Sequence, residues 1–123
     1  MHEFSIASGL VEKVTAFAEE RAPIRVLKVR LAIGNLMCIQ AEQLAFCYNA
    51  LTEDTPIGGS SLEIEMVPPV VSCTNCGYTG APKYWEDPQL LSPVPTMSCP
   101  KCGSTTEAIE GDQCSIRTIS YAQ

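Results

Sequence analysis

Residues 72–105 read SCTNCGYTGAPKYWEDPQLLSPVPTMSCPKCGST, and they interrupt an otherwise regular pattern of apolar residues. The stretch contains two Cys-x-x-Cys pairs, Cys73 with Cys76 and Cys99 with Cys102, and 22 residues separate the pairs. Two such pairs form a closed tetrahedral thiolate site, in which each pair holds one side of a metal ion. A glycine follows each pair and suits a tight turn that directs backbone N–H groups toward the sulfur atoms. The stretch therefore predicts a module folded around a metal ion rather than around a hydrophobic core.

Zinc is the ion that this ligand set most often binds, and four thiolates would leave no open position on it for water. A zinc ion here is therefore expected to be structural. Iron is an alternative, because CTNCGY and CPKCG also resemble the knuckles of rubredoxin. Two disulfides are a further alternative, but they require an oxidising compartment, and the N-terminal sequence does not predict a secretory signal.

The regions on either side of this stretch have the periodicity of a folded α+β domain. Ile6, Leu10, Val14 and Phe17 have the spacing of one helix face, and Pro23 ends this predicted helix. A second helix and three strands are predicted from helical spacing and from alternation: helix 40–51, strand 24–34 with one buried face (Leu27, Val29, Leu31 and Ile33), strand 61–67 and strand 114–122. The last strand is expected to contain a bulge, because its two isoleucines are out of strict alternation, and to pair with the first region.

The predicted fold class is therefore α+β, a small sheet of about three strands packed on two helices, with an inserted four-cysteine module that resembles a zinc ribbon. The predicted domains are residues 1–68 plus 111–123, an α/β domain built from both chain ends, and residues 69–110, the metal module. Tyr84 and Trp85, in the long loop between the cysteine pairs, are predicted either to cover the metal site or to meet a partner, and the covering role is favoured.

Composition and charge exclude several classes of partner. Eight Lys and Arg residues face fourteen Asp and Glu residues, which gives a formal charge of −6. Nucleic-acid binding depends on clustered cations, and the sequence has no such cluster. No apolar run of 18 residues indicates a membrane span, so the expected location is the cytoplasm. The remaining cysteines, Cys38, Cys47 and Cys114, are expected at or near the core, and none has a histidine close in sequence to act as its base.

The chain begins MHEFS, and His2 is its only histidine. An isolated histidine at a chain end is often without function, because the first residues of a domain are usually frayed. However, the terminal amine, the amide nitrogen of His2 and its imidazole Nδ1 can close fused chelate rings around one ion. Ni(II) favours such a planar nitrogen field. A fourth donor is still needed: a backbone nitrogen such as that of Glu3, a carboxylate, or a group from a partner.

These features together resemble the HypA family, the nickel-incorporation proteins of hydrogenase maturation. The resemblance extends over essentially the whole chain: MHEFS, the strand IRVLKVRLAIG, the helix segment LAFCYNAL, both Cys-x-x-Cys pairs and a closing strand after EGDQ. Departures are the long stretch between the cysteine pairs and the sequence GDQCSIRTIS, where the family more often has a Glu-Leu pair after the glycine. By this resemblance, Met1, His2 and Glu3 bind nickel, whereas zinc is bound by Cys73, Cys76, Cys99 and Cys102.

The resemblance implies a nickel metallochaperone that catalyses no reaction, with Ni(II) as transient cargo and Zn(II) as a structural ion. It also implies two partners, the HypB GTPase and a nickel–iron hydrogenase large subunit. Two other functions are compatible with the cysteine pairs alone. One is a rubredoxin-like electron carrier, which would hold iron, and the other is a zinc-ribbon interaction module with no role for nickel.

Overall fold

The computed structural model describes residues 3–89 and 93–123 of the 123-residue chain. Met1 and His2 of the predicted nickel motif therefore lie outside the described residues. The chain divides into two compact units. The helical unit comprises Met1–Ala32, Ile39–Glu65 and Cys114–Gln123, and the cysteine unit comprises Ile33–Cys38 and Met66–Gln113.

The described helices precede all but one of the described strands, as expected of an α+β fold. The helices are α1 (Glu3–Glu20), a short 3-10 turn (Asn35–Met37) and α2 (Ala41–Thr52). The strands are β1 (Arg25–Gly34), β2 (Ser61–Val67), β3 (Val70–Ser72), β4 (Thr79–Gly80), β5 (Tyr84–Trp85), β6 (Val94–Pro95), β7 (Glu107–Glu110) and β8 (Cys114–Ala122). The predicted fold class is confirmed. Of the described helices, none combines the length and the apolar character that a bilayer span needs.

The sheet that pairs the N-terminal strands with the C-terminal strand has the strand order β2-β1-β8. The C-terminal strand thus returns to pair with the first region, as its β-type composition predicts. The core contains one stripe from each helix and the inner face of β1. Its buried members are Ala7, Leu10, Val14 and Ala18 of α1, Leu44 and Tyr48 of α2, and Val26, Val29 and Leu31 of β1.

Strand β1 departs from the simple alternation that its sequence predicts. Val26 and Val29 are both buried although they are three residues apart, and Leu27 is 42% exposed. The alternation therefore breaks between the two valines, and the prediction that Leu27 faces the core is wrong. Further along, both faces of the strand are buried from Leu31 to Gly34.

The contacts of β8 with α1 change parity along the strand. Cys114 and Ile116 line a groove of about 210 Å³ together with Ile6 and other residues of α1. Tyr121 instead packs against Phe17 of the same helix, edge to face, with ring centroids 5.5 Å apart. Cys114, Ile116 and Ile119 are half-buried and the residues between them are exposed, so the spacing of half-buried residues changes from two to three along the strand. This change of parity fits the bulge predicted from the sequence.

Tyr48 carries the largest fully buried side chain and makes a hydrogen bond at the core. Its hydroxyl lies 2.7 Å from Ser60 Oγ, which donates to the Ile57 carbonyl at 2.7 Å. Burial raises the pKa of the Tyr48 phenol, and the bond to Ser60 partly offsets this effect. A Tyr48→Phe variant is expected to lose about 1 kcal/mol, because it removes one buried hydrogen bond and little volume. Thermal unfolding should show a midpoint lower by a few degrees. An unchanged midpoint would mean that this bond does not stabilise the fold.

The cysteine unit is built from short strands. Strand β3 lies between β4 and β7 in a three-stranded antiparallel sheet, in which Val71 pairs with both Gly80 and Ala108. Strands β5 and β6 form a separate antiparallel ladder. The hydrophobic core of this unit is small: among its described residues, the buried large aliphatic side chains are those of Ile33 and Val71.

Candidate metal centre

The four cysteines of the two Cys-x-x-Cys pairs converge in the structure. Their Sγ atoms all lie within 4.8 Å of one another. Two of these distances join one pair to the other, 3.5 Å from Cys73 Sγ to Cys102 Sγ and 3.6 Å from Cys76 Sγ to Cys99 Sγ. A zinc ion with Zn–S bonds near 2.3 Å has its ligand sulfurs about 3.8 Å apart, so the four sulfurs have the spacing of one tetrahedral ion.

These distances exclude the disulfide alternative for this structure. A disulfide has its sulfur atoms about 2.05 Å apart, much closer than the pairs observed here. None of the seven cysteines takes part in a disulfide. Of the two interpretations, the distances between the four cysteines therefore fit metal binding.

The two cysteine pairs lie in turns of the same conformation. In each turn the first cysteine donates its N–H to the residue five positions later, and its carbonyl accepts the N–H of the following glycine. These bonds run Cys73 N–H to Tyr78 O (2.8 Å), Gly77 N–H to Cys73 O (2.8 Å), Cys99 N–H to Ser104 O (2.8 Å) and Gly103 N–H to Cys99 O (2.9 Å). The glycines have φ of 79° and 78°, a conformation that favours glycine. The predicted role of Gly77 and Gly103 in these turns is therefore confirmed.

Burial differs systematically between the members of each pair. Cys73 and Cys99 are each 1% exposed, whereas Cys76 and Cys102 are exposed. Each pair therefore contributes one sulfur from inside the unit and one from its surface. An ion at the centre would be anchored on one side and close to solvent on the other.

Hydrogen bonds and desolvation shift the pKa values of Cys76 and Cys102 in opposite directions. Bonds from the Ser104 side chain and then from Asn75 lower the pKa of Cys102 to about 5. Asn75 Nδ2 donates to Cys102 Sγ at 3.6 Å. At Cys76 the Tyr78 amide favours the thiolate, but desolvation and bonding among the sulfurs outweigh it and raise the pKa to about 12. Four adjacent thiolates repel one another, so full ionisation of the cluster requires a cation at its centre.

Asn75 and Ser104 were not identified by sequence reasoning. Asn75 lies inside the first Cys-x-x-Cys pair and donates to Cys102 of the second pair. Ser104 follows the second pair, and its side chain also bonds to Cys102. The only sequence feature that could have indicated such a hydrogen bond was a polar residue inside a Cys-x-x-Cys pair. It was insufficient because the partner of Asn75, Cys102, lies 27 residues away in the sequence.

The remaining cysteines lie apart from this cluster. Cys38 is exposed at φ 55°, so the prediction that it lies at or near the core is wrong. Its position directly after the 3-10 turn, in a left-handed conformation, directs the chain out of the turn. Cys47 and Cys114 are half-buried. Burial raises the pKa of Cys114, and the charge of Lys13 partly opposes that shift.

Glu3 is the one residue of the predicted nickel motif that the structure describes. It is the first residue of α1, and its carboxylate accepts the backbone N–H of Gln40 at 3.2 Å. Gln40 immediately precedes α2, where free N–H groups and the helix dipole favour a negative charge. The starts of the two helices are thereby joined at the residue that follows His2.

Comparison with known proteins agrees with the resemblance seen in the sequence. The family model described as hydrogenase/urease nickel incorporation, metallochaperone, hypA matches residues 1–121. The chain belongs to the HypA family. The hydrogenase maturation factor HypA of Methanopyrus kandleri is 38% identical, over 97% of this chain and 92% of that protein. The factor of the same name from Methanocella arvoryzae is also 38% identical, over 97% of this chain and 96% of its own length.

A solved structure shares the fold. The solution structure of the Ni metallochaperone HypA from Helicobacter pylori superimposes with a TM-score of 0.65 at 18% identity, over 97% of this chain and 96% of that one. The HypA family comprises metallochaperones, which are maturation factors rather than enzymes. The conclusion that this chain is not an enzyme therefore rests on its family membership.

Proposed function

We propose that this HypA-family protein binds Ni(II) through Met1, His2 and Glu3 and delivers it during the maturation of a nickel–iron hydrogenase. The observation that carries the proposal is the family match, which begins at residue 1 and includes the sole histidine of the chain. Three donors are the His2 imidazole, the amide nitrogen of His2 and the amine of Met1, and the fourth is a backbone nitrogen such as that of Glu3, a carboxylate or a group from a partner. Nitrogen donors in this arrangement suit the planar coordination that Ni(II) prefers.

The position of Glu3 supports this use of the motif. Its backbone begins α1, and its carboxylate is joined to the start of α2. The last residue of the motif therefore has a defined place, whereas a nickel site at a chain end otherwise has no fixed surroundings. A short peptide site with few donors also releases its metal more readily than a closed four-ligand site, as delivery requires.

We further propose that the four-cysteine cluster holds Zn(II) as a structural ion. The four Sγ atoms lie within 4.8 Å of one another, which supports one metal ion bound tetrahedrally by four thiolates. A closed site of this type offers no position for a substrate. A visible absorption spectrum and elemental analysis distinguish zinc from iron. A coloured protein containing iron would favour the rubredoxin-like alternative.

The proposed partners are the HypB GTPase and the hydrogenase large subunit, which the family resemblance implies. The family description supports partners of this kind, because incorporation of nickel requires a protein that receives it. The formal charge of −6 gives no support to nucleic acid as a partner.

Nickel titration of variants at the start of the chain tests the proposal. A His2→Ala variant is expected to bind Ni(II) at least tenfold more weakly, about 1.4 kcal/mol, because the imidazole donor is lost. A Gly-Ser extension ahead of Met1 should weaken binding as well if the amine of Met1 is a donor. Glu19→Ala, which removes an exposed carboxylate near the end of α1, is the matched control and should bind normally. Equal affinity in His2→Ala and the unaltered protein would disprove the nickel assignment.

Nickel affinity should also depend on pH. Protons compete with Ni(II) for an imidazole of ordinary pKa about 6.5 and for an α-amine of about 8, so affinity should fall steadily as pH decreases through this range. Isothermal titration at several pH values between 8 and 6 measures the effect. The ion in the cysteine cluster should remain bound over the same range, and its release before nickel would contradict the assignment of the two sites.

A further inference from the structure

The inter-knuckle hairpin, residues 83–89 and 93–98 between the two cysteine turns, carries the one tryptophan of the chain in an unusual environment. Trp85 is 57% exposed. Tryptophan is a large side chain that folded proteins bury on average, so an exposed one requires an explanation. The covering role favoured by the sequence does not account for it, because more than half of the side chain faces solvent.

The backbone around Trp85 is well ordered by hydrogen bonds. Trp85 pairs with Val94 across the β5/β6 ladder. The Lys83 N–H donates to the Ser98 carbonyl at 3.1 Å, and the Thr96 N–H donates to the Lys83 carbonyl at 2.9 Å. The backbone that carries Trp85 is therefore paired rather than part of a loose loop, and a paired backbone loses less entropy on binding.

Carboxylates lie directly after Trp85 in the hairpin. Glu86 is exposed, and Asp87 accepts the Gln89 N–H at 2.8 Å, which holds the following turn in place. Lys83 is the one cation among the described hairpin residues. The whole cysteine unit has two lysines against five acidic residues, a formal charge of −3, and four thiolates around Zn²⁺ would add two negative charges. The hairpin, with two carboxylates against one lysine, and the unit that carries it therefore both have a negative formal charge.

We propose that the inter-knuckle hairpin is the docking site for the hydrogenase large subunit and that it binds a basic segment of that subunit. This inference rests on the proposed function. An arginine of the segment would stack on the Trp85 ring, and Glu86 would accept its N–H groups. Tryptophan and arginine are the side chains that most often dominate the energy of protein interfaces.

Nickel delivery must be specific for one recipient protein, and this favours the recipient as the partner that binds the hairpin. A nickel motif of three residues offers too few contacts to distinguish one recipient protein from another, so recognition must come from a second surface.

Binding of the purified large-subunit precursor to the zinc-loaded, full-length protein tests the proposal. Trp85→Ala is expected to weaken the complex at least tenfold by isothermal titration, and Trp85→Phe to weaken it less, because a ring remains. Glu86→Lys should weaken the complex and reduce its dependence on salt. The matched control is Phe46→Ala, which removes an aromatic side chain that is 69% exposed on α2 and should change affinity less than twofold. Zinc content and circular dichroism verify that each variant is folded.

The single tryptophan allows a direct observation of the contact. In protein labelled with 5-fluorotryptophan, the fluorine resonance of Trp85 should shift on addition of the unlabelled large-subunit precursor. The proposal is overturned by an unshifted resonance in the complex, by affinity within twofold for Trp85→Ala, by a larger effect of Phe46→Ala, or by the absence of any complex. Binding of the GTPase alone at the hairpin would equally overturn it.

The same proteins separate failure of this inference from failure of the proposed function. Trp85→Ala should bind Ni(II) normally, whereas His2→Ala should dock normally and lose nickel. An unaltered protein that docks through Trp85 but binds no nickel at His2 would disprove the nickel function and leave the docking site intact. Normal nickel binding without an effect of Trp85 on docking would disprove only the docking site.

Discussion

A Cys99→Ala variant is expected to lose its metal ion and to unfold the cysteine unit. Cys99 is 1% exposed and supplies one of the two inner sulfurs of the cluster. The unit has little hydrophobic core of its own, and zinc modules of this size take most of their folding free energy from the metal, about 10–16 kcal/mol. Elemental analysis should find less than one tenth of the zinc of the unaltered protein. The helical signal in circular dichroism should largely persist, because α1 and α2 belong to the helical unit.

Cys38→Ser is the matched control for this experiment. Cys38 also belongs to the cysteine unit, but its thiol is exposed and lies outside the cluster of four sulfurs. The variant should keep its zinc and its thermal midpoint. Complete unfolding of both units in Cys99→Ala, with loss of the helical signal, would contradict a division into a metal-dependent and a metal-independent unit. Retention of zinc in Cys99→Ala would contradict the four-cysteine site itself.

A Gly34→Ala variant is expected to destabilise the protein strongly. Gly34 donates its N–H to the Gln113 carbonyl at 2.8 Å, at the end of β1. An added Cβ would overlap the carbonyl group of Gly111 and come within 2.6 Å of the Asp112 nitrogen. Backbone atoms cannot move away as a flexible side chain can, so the variant should lose about 3 kcal/mol or more. The thermal midpoint should fall by roughly 10 °C.

Gly9→Ala makes the same chemical change but is expected to stabilise the protein rather than destabilise it. Gly9 lies within α1, and nothing is within 4 Å of an added Cβ. Alanine in a helix interior is more favourable than glycine by about 1 kcal/mol, so this variant should be slightly more stable. Equal midpoints for Gly34→Ala and Gly9→Ala would show that the close approach at Gly34 does not constrain the fold.

Local patterns in the sequence predicted the helices and the metal ligands because each depends on neighbours in the chain. The apolar spacing of α1, from Ile6 to Phe17, defines a helix face within four turns. The Cys-x-x-Cys pairs place two thiols and a glycine in one turn, and the structure shows the same hydrogen bonds in both turns. The α+β class followed from these segments. The nickel motif remains a prediction, since Met1 and His2 lie outside the described residues.

Tertiary structure alone decided which of these segments meet. The Sγ atoms of Cys73 and Cys102 lie 3.5 Å apart although the two residues are 29 positions apart in the sequence. The Glu3 carboxylate bonds to a backbone group 37 positions away, and Gly34 approaches Gly111 across most of the chain. Exposure was likewise decided by packing, since Leu27 and Cys38 reach solvent against expectation. Periodicity describes only the residues next to one another along the chain. Burial and long-range contacts depend on how distant segments pack, so apolar side chains without a packing partner remain at the surface.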